Sequence, residues 1–131
     1  MIADPIIWAD LHNLMTLSGE TTEIKPSVKI DVQGACIIGG HCVISDDVII
    51  YTHTHEFKCA NWQDLPIKRL ITQIGDSVFI GARSIILGGV WIADHCVIGA
   101  GSVITKSIQE PYTIWGGNPA KKIGAVKHDA P

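Results

Sequence analysis

A six-residue apolar repeat dominates this sequence and limits what the chain can fold into. From residue 74 onward an isoleucine recurs at every sixth position: Ile74, Ile80, Ile86, Ile92, Ile98 and Ile104. Four residues after each of them stands a small or β-branched side chain: Val78, Ser84, Val90, Cys96, Ser102 and Ile108. The N-terminal half has the same rhythm, led by Val32, Ile38, Ile44 and Ile50. One short structural unit is therefore copied along most of the chain.

A six-residue period does not match an α-helix, whose apolar stripe recurs about every 3.6 residues. It matches a short strand followed by a turn. We expect the first and fifth residues of each unit to point inward and the polar pair between them, such as Asp76-Ser77, to form the bend. Because so short a unit cannot bury its apolar face alone, the copies must stack as coils about 4.8 Å apart. The sequence predicts an all-β parallel solenoid.

The sixth residue of most units is also apolar, and strand alternation directs it outward. Examples are Phe79, Ile85, Trp91, Val97 and Val103. A monomer rarely exposes apolar side chains in such ordered columns. We therefore expect one face of the solenoid to be buried against other copies of the chain.

The rhythm breaks at two places. Before Val32 the phase is lost, since the unit that begins at Ile24 is two residues out of step, and we expect a bulge or an altered turn near Asp31. After Ile50 no unit follows until Ile74, and residues 56–73 read as a loop that protrudes from the solenoid. Long loops on a rigid scaffold often carry functional residues.

The break after Ile50 carries two histidines, in the stretch "IYTHTHEF". We expect Thr54 to be the inward residue of this unit and His55 to face outward at the mouth of the loop. His53 is expected on the face opposite His55. Two further histidines, His41 and His95, occupy bend positions and are weaker candidates for catalysis.

The bulk composition excludes several classes of protein. With 131 residues the chain forms about one domain, 1–131. A net charge of −3 argues against a nucleic-acid surface. No apolar stretch approaches the roughly 20 residues of a membrane span, and the acidic N-terminus is unlike a secretory signal, so we expect a cytoplasmic protein. The four cysteines form no CxxC pair, and we expect them to be reduced and packed.

The ends of the chain depart from the repeat. Residues 1–23 are predicted to form an N-terminal cap with a short helix, for which Asp4 is the cap, Pro5 the first turn and Gly19 the stop. The solenoid is predicted over 24–109, and 110–131 form a C-terminal turn, "GGNPAKK", and a tail.

The hexads, together with "IGAGSVITKSI" and "WGGNPAKKIG", resemble the hexapeptide-repeat acyltransferases over residues 24–124. The nearest branch is that of galactoside and maltose acetyltransferases and polysaccharide O-acetyltransferases. The resemblance implies a single acyltransferase domain that folds as a left-handed parallel β-helix and assembles as a homotrimer with active sites between subunits. It also implies acetyl-CoA as the acyl donor, a sugar or surface-polysaccharide hydroxyl as the acceptor, and no metal.

The resemblance assigns the catalytic base to His55, because relatives have their catalytic histidine in a similar unit before a similar loop. His53 has no match in that role. Imidazole suits this chemistry because its pKa, near 6.5, lets it take a hydroxyl proton at neutral pH.

The resemblance also places coenzyme A along a groove between subunits. The matching positions are Phe79, Gly81, Ala82, Ala100, Thr105, Lys106, Pro119 and Lys121, with Lys122 beside them. Small residues allow the pantetheine to approach the backbone, and lysines can neutralise phosphates. Relatives often have arginine where this chain has Lys121, and lysine lacks the bidentate fork.

Two other classes of protein remain open. A γ-class carbonic anhydrase shares the fold but places two zinc-binding histidines in an "HxxxxH" arrangement, which this chain lacks. A non-catalytic β-helix used as an interaction module would need neither His55 nor the lysines. The sequence does not distinguish a sugar hydroxyl from an amino sugar, an antibiotic or an amino acid as acceptor.

Overall fold

The repeat folds into a β-helix in which successive strands belong in turn to three sheets. The computed structural model describes residues 6–7, 15–17 and 21–128. Sheet 1 contains β1 (Ile6–Ile7), β4 (Lys29–Ile30), β7 (Ile49–Ile50), β12 (Ile85–Ile86) and β15 (Val103–Ile104). Sheet 2 contains β2 (Met15–Leu17), β5 (Ala35–Ile38), β10 (Ile71–Ile74) and β13 (Trp91–Ile92). Sheet 3 contains β3 (Glu23–Ile24), β6 (Val43–Ile44), β11 (Phe79–Ile80), β14 (Val97–Ile98), β16 (Thr113–Gly117) and β17 (Ala120–Ala125).

The strands stack in register, which confirms the predicted solenoid. All ladders within the three sheets are parallel except that between β16 and β17, which is antiparallel. Ile80 lies between Ile44 and Ile98, and Ile86 lies between Ile50 and Ile104. Three hexads thus make one coil, and each leading isoleucine stacks on the one a coil away.

The core is the column of first and fifth residues, as the pattern predicts. The leading isoleucines from Ile74 to Ile104 and the fifth residues from Val78 to Ile108 are all buried. The sixth residues are more exposed, and Phe79 and Trp91 reach 44% and 56%. Each buried isoleucine contributes about 1.5–3 kcal/mol relative to an exposed one.

The bends of the coils use a left-handed backbone at the fourth residue of the unit. His41, Asp47, Ser77, Arg83 and His95 all have a φ between 55° and 62°. This region is uncommon for residues other than glycine, and asparagine, aspartate and histidine tolerate it best. His41 and His95 are therefore turn residues, as expected.

Near Asp31 the six-residue repeat is interrupted by two extra residues, which lie at the corner between sheets 1 and 2. Ile30 stacks on Ile50, and Ile38 stacks on Ile74, so eight residues separate leaders that are elsewhere six apart. Asp31 and Val32 are both buried within this enlarged corner. The predicted irregularity is confirmed, and Val32 packs in a corner rather than leading a strand.

The inserted loop begins and ends earlier than the predicted 56–73. His53–His55 (β8) pairs antiparallel with Ile67–Arg69 (β9), and Ile71–Ile74 is already back in sheet 2. The prediction that Thr54 points inward is wrong, because Thr54 is exposed and Thr52 is buried instead. A short 3₁₀ turn, Trp62–Asp64, lies within the loop.

Thr52 takes the interior place because its hydroxyl bridges two coils. It donates to the carbonyl oxygen of Asp31 and accepts the Gly34 N–H, both at 2.9 Å. The chain therefore leaves the solenoid directly after Thr52.

The ends of the chain add strands to the sheets. The predicted N-terminal helix is wrong at Ile6–Ile7 and Met15–Leu17, which pair with β4 and β5, and the rest of that segment lies outside the described residues. At the other end, β16 and β17 form a hairpin whose turn contains a cis Asn118–Pro119 bond, where the sequence predicts a turn. Cys36, Cys42 and Cys96 are buried, as expected, whereas Cys59 in the loop is only partly buried. No helix in the described part of the chain is long and apolar enough to cross a membrane.

Candidate active site

The loop histidines line a cavity at the corner between sheets 1 and 2. The cavity has a volume of about 490 Å³, and its walls are formed by Tyr51, His53, Thr54, His55, Leu70, Leu87, Gly88 and Thr105. Three successive coils supply these residues, so the solenoid itself fixes the spacing of the walls. His55 therefore faces a cavity at the mouth of the loop.

His53 is anchored by a buried carboxylate. Its Nδ1 lies in hydrogen-bonding contact with Oδ2 of Asp31, whose side chain is only 2% exposed. Asp31 also accepts the N–H groups of Thr52 and Gln33, each at 3.0 Å. Burial alone would raise the pKa of Asp31, but these N–H donors and His53 outweigh it and hold the pKa below its ordinary value.

The two histidine rings contact each other. Their centroids are 5.1 Å apart and their planes are nearly perpendicular, at 86°. The prediction that they lie on opposite faces is wrong, because residues two apart on a strand share a face. His55 Nδ1 is buried and has no hydrogen-bond partner among the described residues.

Gly88, on the adjacent coil, lies directly beneath the backbone of His53. A Cβ at this position would lie 2.7 Å from the carbonyl oxygen of His53 and 2.8 Å from its backbone nitrogen. Such contacts are too short for any side chain, so only glycine lets β8 sit this close to the coil below.

A second, smaller cavity is lined by two of the lysines. It has a volume of about 260 Å³ and is lined by Ile104, Thr105, Lys106, Ser107, Trp115, Ala120 and Lys121. Thr105 belongs to both cavities. One chain therefore brings together His55, Thr105, Lys106 and Lys121.

The remaining predicted coenzyme A residues are not all at this corner. Gly81, Ala82 and Ala100 follow the strands of sheet 3 and lie at the corner between sheets 3 and 1, and Phe79 is on sheet 3 itself. A Cβ on Gly81 would lie 2.6 Å from the Ala100 nitrogen, so the stacking of coils alone requires this glycine.

The C-terminal hairpin carries the last predicted positions. Pro119 is in its turn, and Lys121 and Lys122 are exposed on β17. Lys122 donates to the Glu110 carboxylate at 3.1 Å, which partly neutralises its charge. Lys106 and Lys121 are therefore better placed than Lys122 to bind an anionic group.

A larger cavity, of about 620 Å³, lies on sheet 2 around Trp91 and Pro111. Its one ionisable residue is Asp94, whose Oδ1 accepts the Asp76 N–H at 2.7 Å. Its lining contains no histidine, so the histidine cavity is the candidate site. Across the described residues no group of three His, Cys, Asp or Glu side chains is placed to hold a metal ion.

Sequence reasoning missed three contributors to the site: Asp31, Gly88 and the role of His53. The interruption of the repeat near Asp31 was the sequence signal for this residue, because extra residues in a strict repeat indicate a corner that differs from the others. Gly88 gave no signal, because glycine is common in the repeat.

Comparison with known proteins gives this architecture a family. A profile described as bacterial transferase hexapeptide (six repeats) matches residues 71–106. The structure of a maltose O-acetyltransferase from Clostridium difficile 630 is 30% identical, with a TM-score of 0.75, over 97% of this chain and 67% of that one. The chain belongs to the hexapeptide-repeat acyltransferases. Its fold is accordingly the left-handed parallel β-helix of that family.

Other relatives match parts of the chain. A hexapeptide-repeat acetyltransferase from Vibrio cholerae O1 biovar eltor, solved with acetyl-CoA, is 28% identical with a TM-score of 0.82, over 88% of this chain and 62% of that one. A chloramphenicol acetyltransferase from Agrobacterium fabrum (strain C58) is 50% identical over 52 residues, which are 40% of this chain. The chain spans only 24% of that relative's length.

Proposed function

We propose that this chain is an acetyl-CoA-dependent acyltransferase that acetylates a hydroxyl group, with His55 as the general base. The observation that carries the proposal is that two cavities share Thr105 in their walls. One is lined by His53 and His55 and the other by Lys106 and Lys121. An imidazole in one cavity and two cations in the other suit an acceptor hydroxyl and a phosphate-bearing donor.

The reaction needs a base because a thioester is activated but a hydroxyl is a poor nucleophile. His55 takes the proton of the acceptor hydroxyl as its oxygen attacks the thioester carbonyl. The tetrahedral intermediate then collapses, the C–S bond breaks, and the coenzyme A thiolate leaves and takes up the proton. A positioned general base accelerates such a step by about 10² to 10⁴-fold.

The donor groove in this proposal is shared by neighbouring copies in a homotrimer. Gly81, Ala82 and Ala100 lie at a different corner from His55, so one chain does not bring all the expected positions together. A second copy that places its sheet 3–sheet 1 corner against the histidine corner would complete the groove. The partly exposed sixth residues, such as Ile85 and Val103, supply apolar surface for that contact.

The acceptor is proposed as a hydroxyl of a sugar or a surface-polysaccharide precursor. A match that spans 97% of the chain is named a maltose O-acetyltransferase, whereas the match to chloramphenicol acetyltransferase covers 40% of it. The cytoplasmic location stays a prediction.

The test is a thiol-release assay with acetyl-CoA and a panel of acceptors. The panel contains maltose, galactosides, glucosamine and chloramphenicol, with acceptor-free hydrolysis as the blank. We expect release above the blank with at least one sugar, and a loss of about 10² to 10⁴-fold in kcat for His55→Ala.

The matched control is His95→Asn, which removes an exposed histidine from a bend and keeps a residue that tolerates its positive φ. It should retain wild-type kcat. Equal kcat for the wild type and His55→Ala would overturn the assignment of the base. Release with no acceptor of the panel would count against the sugar acceptor and favour the interaction module.

A further inference from the structure

We propose that Asp31 and His53 form a positioning pair that holds the ring of His55 for catalysis. The inference rests on the proposed function for its kinetic readout, and it adds two residues that the family resemblance does not assign. It is carried by the chain of contacts that runs from a buried carboxylate to the ring facing the cavity.

The first link is the immobility of Asp31. Oδ1 accepts the Gln33 N–H and Oδ2 accepts the Thr52 N–H, each at 3.0 Å. With its side chain 2% exposed, the carboxylate cannot turn without breaking these two hydrogen bonds. These hydrogen bonds fix the position of the carboxylate at the corner of the solenoid.

The second link is the tautomer of His53. An ionised carboxylate can only accept, so the contact between Asp31 and His53 Nδ1 requires a proton on Nδ1. The neutral ring then has its lone pair on Nε2. Carboxylates fix the orientation of metal-bound histidines in the same way.

The third link is the contact between the two rings. His53 meets His55 edge to face at 5.1 Å, and Tyr51 meets His53 from another side at 6.1 Å and 75°. His55 Nδ1 has no hydrogen-bond partner in the described part of the chain. Packing against His53 therefore orients His55, and the carboxylate that usually orients a general base acts here through one intervening ring.

The kinetic experiment uses His53→Asn, which shortens the side chain and removes the ring. We expect kcat to fall about 10 to 100-fold, the range for losing a residue that orients a catalytic group, with the KM for acetyl-CoA unchanged. The same substitution at an exposed bend, His95→Asn, is the matched control and should leave kcat unchanged. An unchanged kcat for His53→Asn would overturn the proposal.

A double-mutant cycle separates positioning from independent catalysis. If His53 acts through His55, adding His53→Asn to His55→Ala causes no further loss of the residual activity. Losses that multiply would show that His53 contributes independently of His55, and would also overturn the proposal.

An NMR experiment on ¹⁵N-histidine-labelled protein tests the pair without turnover. The wild type should show His53 protonated at Nδ1, Asp31→Asn should lose this preference, and His53→Asn should shift the ring signals of His55. Should Asp31→Asn not fold, His53→Asn still provides the decisive comparison. Unperturbed His55 signals in His53→Asn contradict the pair, whereas absent turnover with the expected signals contradicts only the proposed function.

Discussion

At the scale of the residue, the buried carboxylate of Asp31 contributes to the stability of the fold as well as to the candidate site. The cost of its burial is offset by N–H donors from two residues and by a histidine. An acid in this setting stabilises the fold only while it is ionised. Its contribution to stability must therefore depend on pH.

The contribution of Asp31 to the free energy of unfolding decreases as the pH falls. Because the pKa of folded Asp31 lies below its ordinary value of 3.8, its contribution is complete above about pH 4 and is lost as the pH falls through the lowered pKa. We expect Asp31→Asn to be less stable than the wild type at neutral pH, and the difference to shrink in acid. Urea unfolding over about pH 3 to 7, at fixed protein concentration, measures this.

The control for that series is Asp64→Asn, at an exposed aspartate of the loop. It should follow the wild type at every pH. A stability difference between wild type and Asp31→Asn that stays constant from neutral pH into acid would contradict the stated role of the carboxylate.

At the scale of the element, β8 depends on the coil below it. The strand runs over Gly88 at a distance that admits no Cβ. The histidines are thus positioned by the stacking of coils and not by the loop alone. A long insertion can in this way hold the proposed base in a defined position.

We predict that Gly88→Ala lowers activity more than it lowers stability. The new methyl group must push the His53 backbone outward, and displacements near 1 Å at a catalytic group cost on the order of 10²-fold. We expect kcat to fall at least about tenfold while the thermal midpoint changes little. The matched control is Gly99→Ala, where the nearest atom to a new Cβ is 3.6 Å away. Equal activity in the two variants would contradict this role of Gly88.

The elements that could be predicted from the sequence are those governed by the hexad. The column of buried isoleucines from Ile74 to Ile104 follows from the six-residue period alone, because each of these residues stacks on the equivalent residue one coil away. The start of the loop could not be found this way: Thr52 and Thr54 are alike in sequence, and only the hydrogen bonds across coils select Thr52. The strands at Ile6–Ile7 and Met15–Leu17 were missed because capping signals are local, whereas their pairing with β4 and β5 is not.

At the scale of the whole molecule, the expected donor-binding positions are split between two corners of the prism. No bending of a packed solenoid could bring those corners together. The proposed activity therefore requires assembly. We expect light scattering at micromolar concentration to give three times the chain mass of 14.1 kDa. A sharp peak at the mass of one chain would contradict the shared groove.

In the proposed trimer, one chain supplies His55 and a neighbouring copy completes the acetyl-CoA groove. Mixing two inactive variants tests it most directly. His55→Ala removes the base, and Ala100→Trp blocks the groove from an exposed bend of the other corner. In a cyclic trimer of both variants, one interface keeps an intact histidine and an intact groove.

The measurement is thiol release by the co-expressed variants, with mixed trimers verified by mass. Random assembly of equal amounts should restore about a quarter of wild-type activity, because about three quarters of the trimers are mixed and each has one intact site of three. Each variant alone should stay inactive. Mixed trimers that release no more thiol than the separate variants would contradict the account.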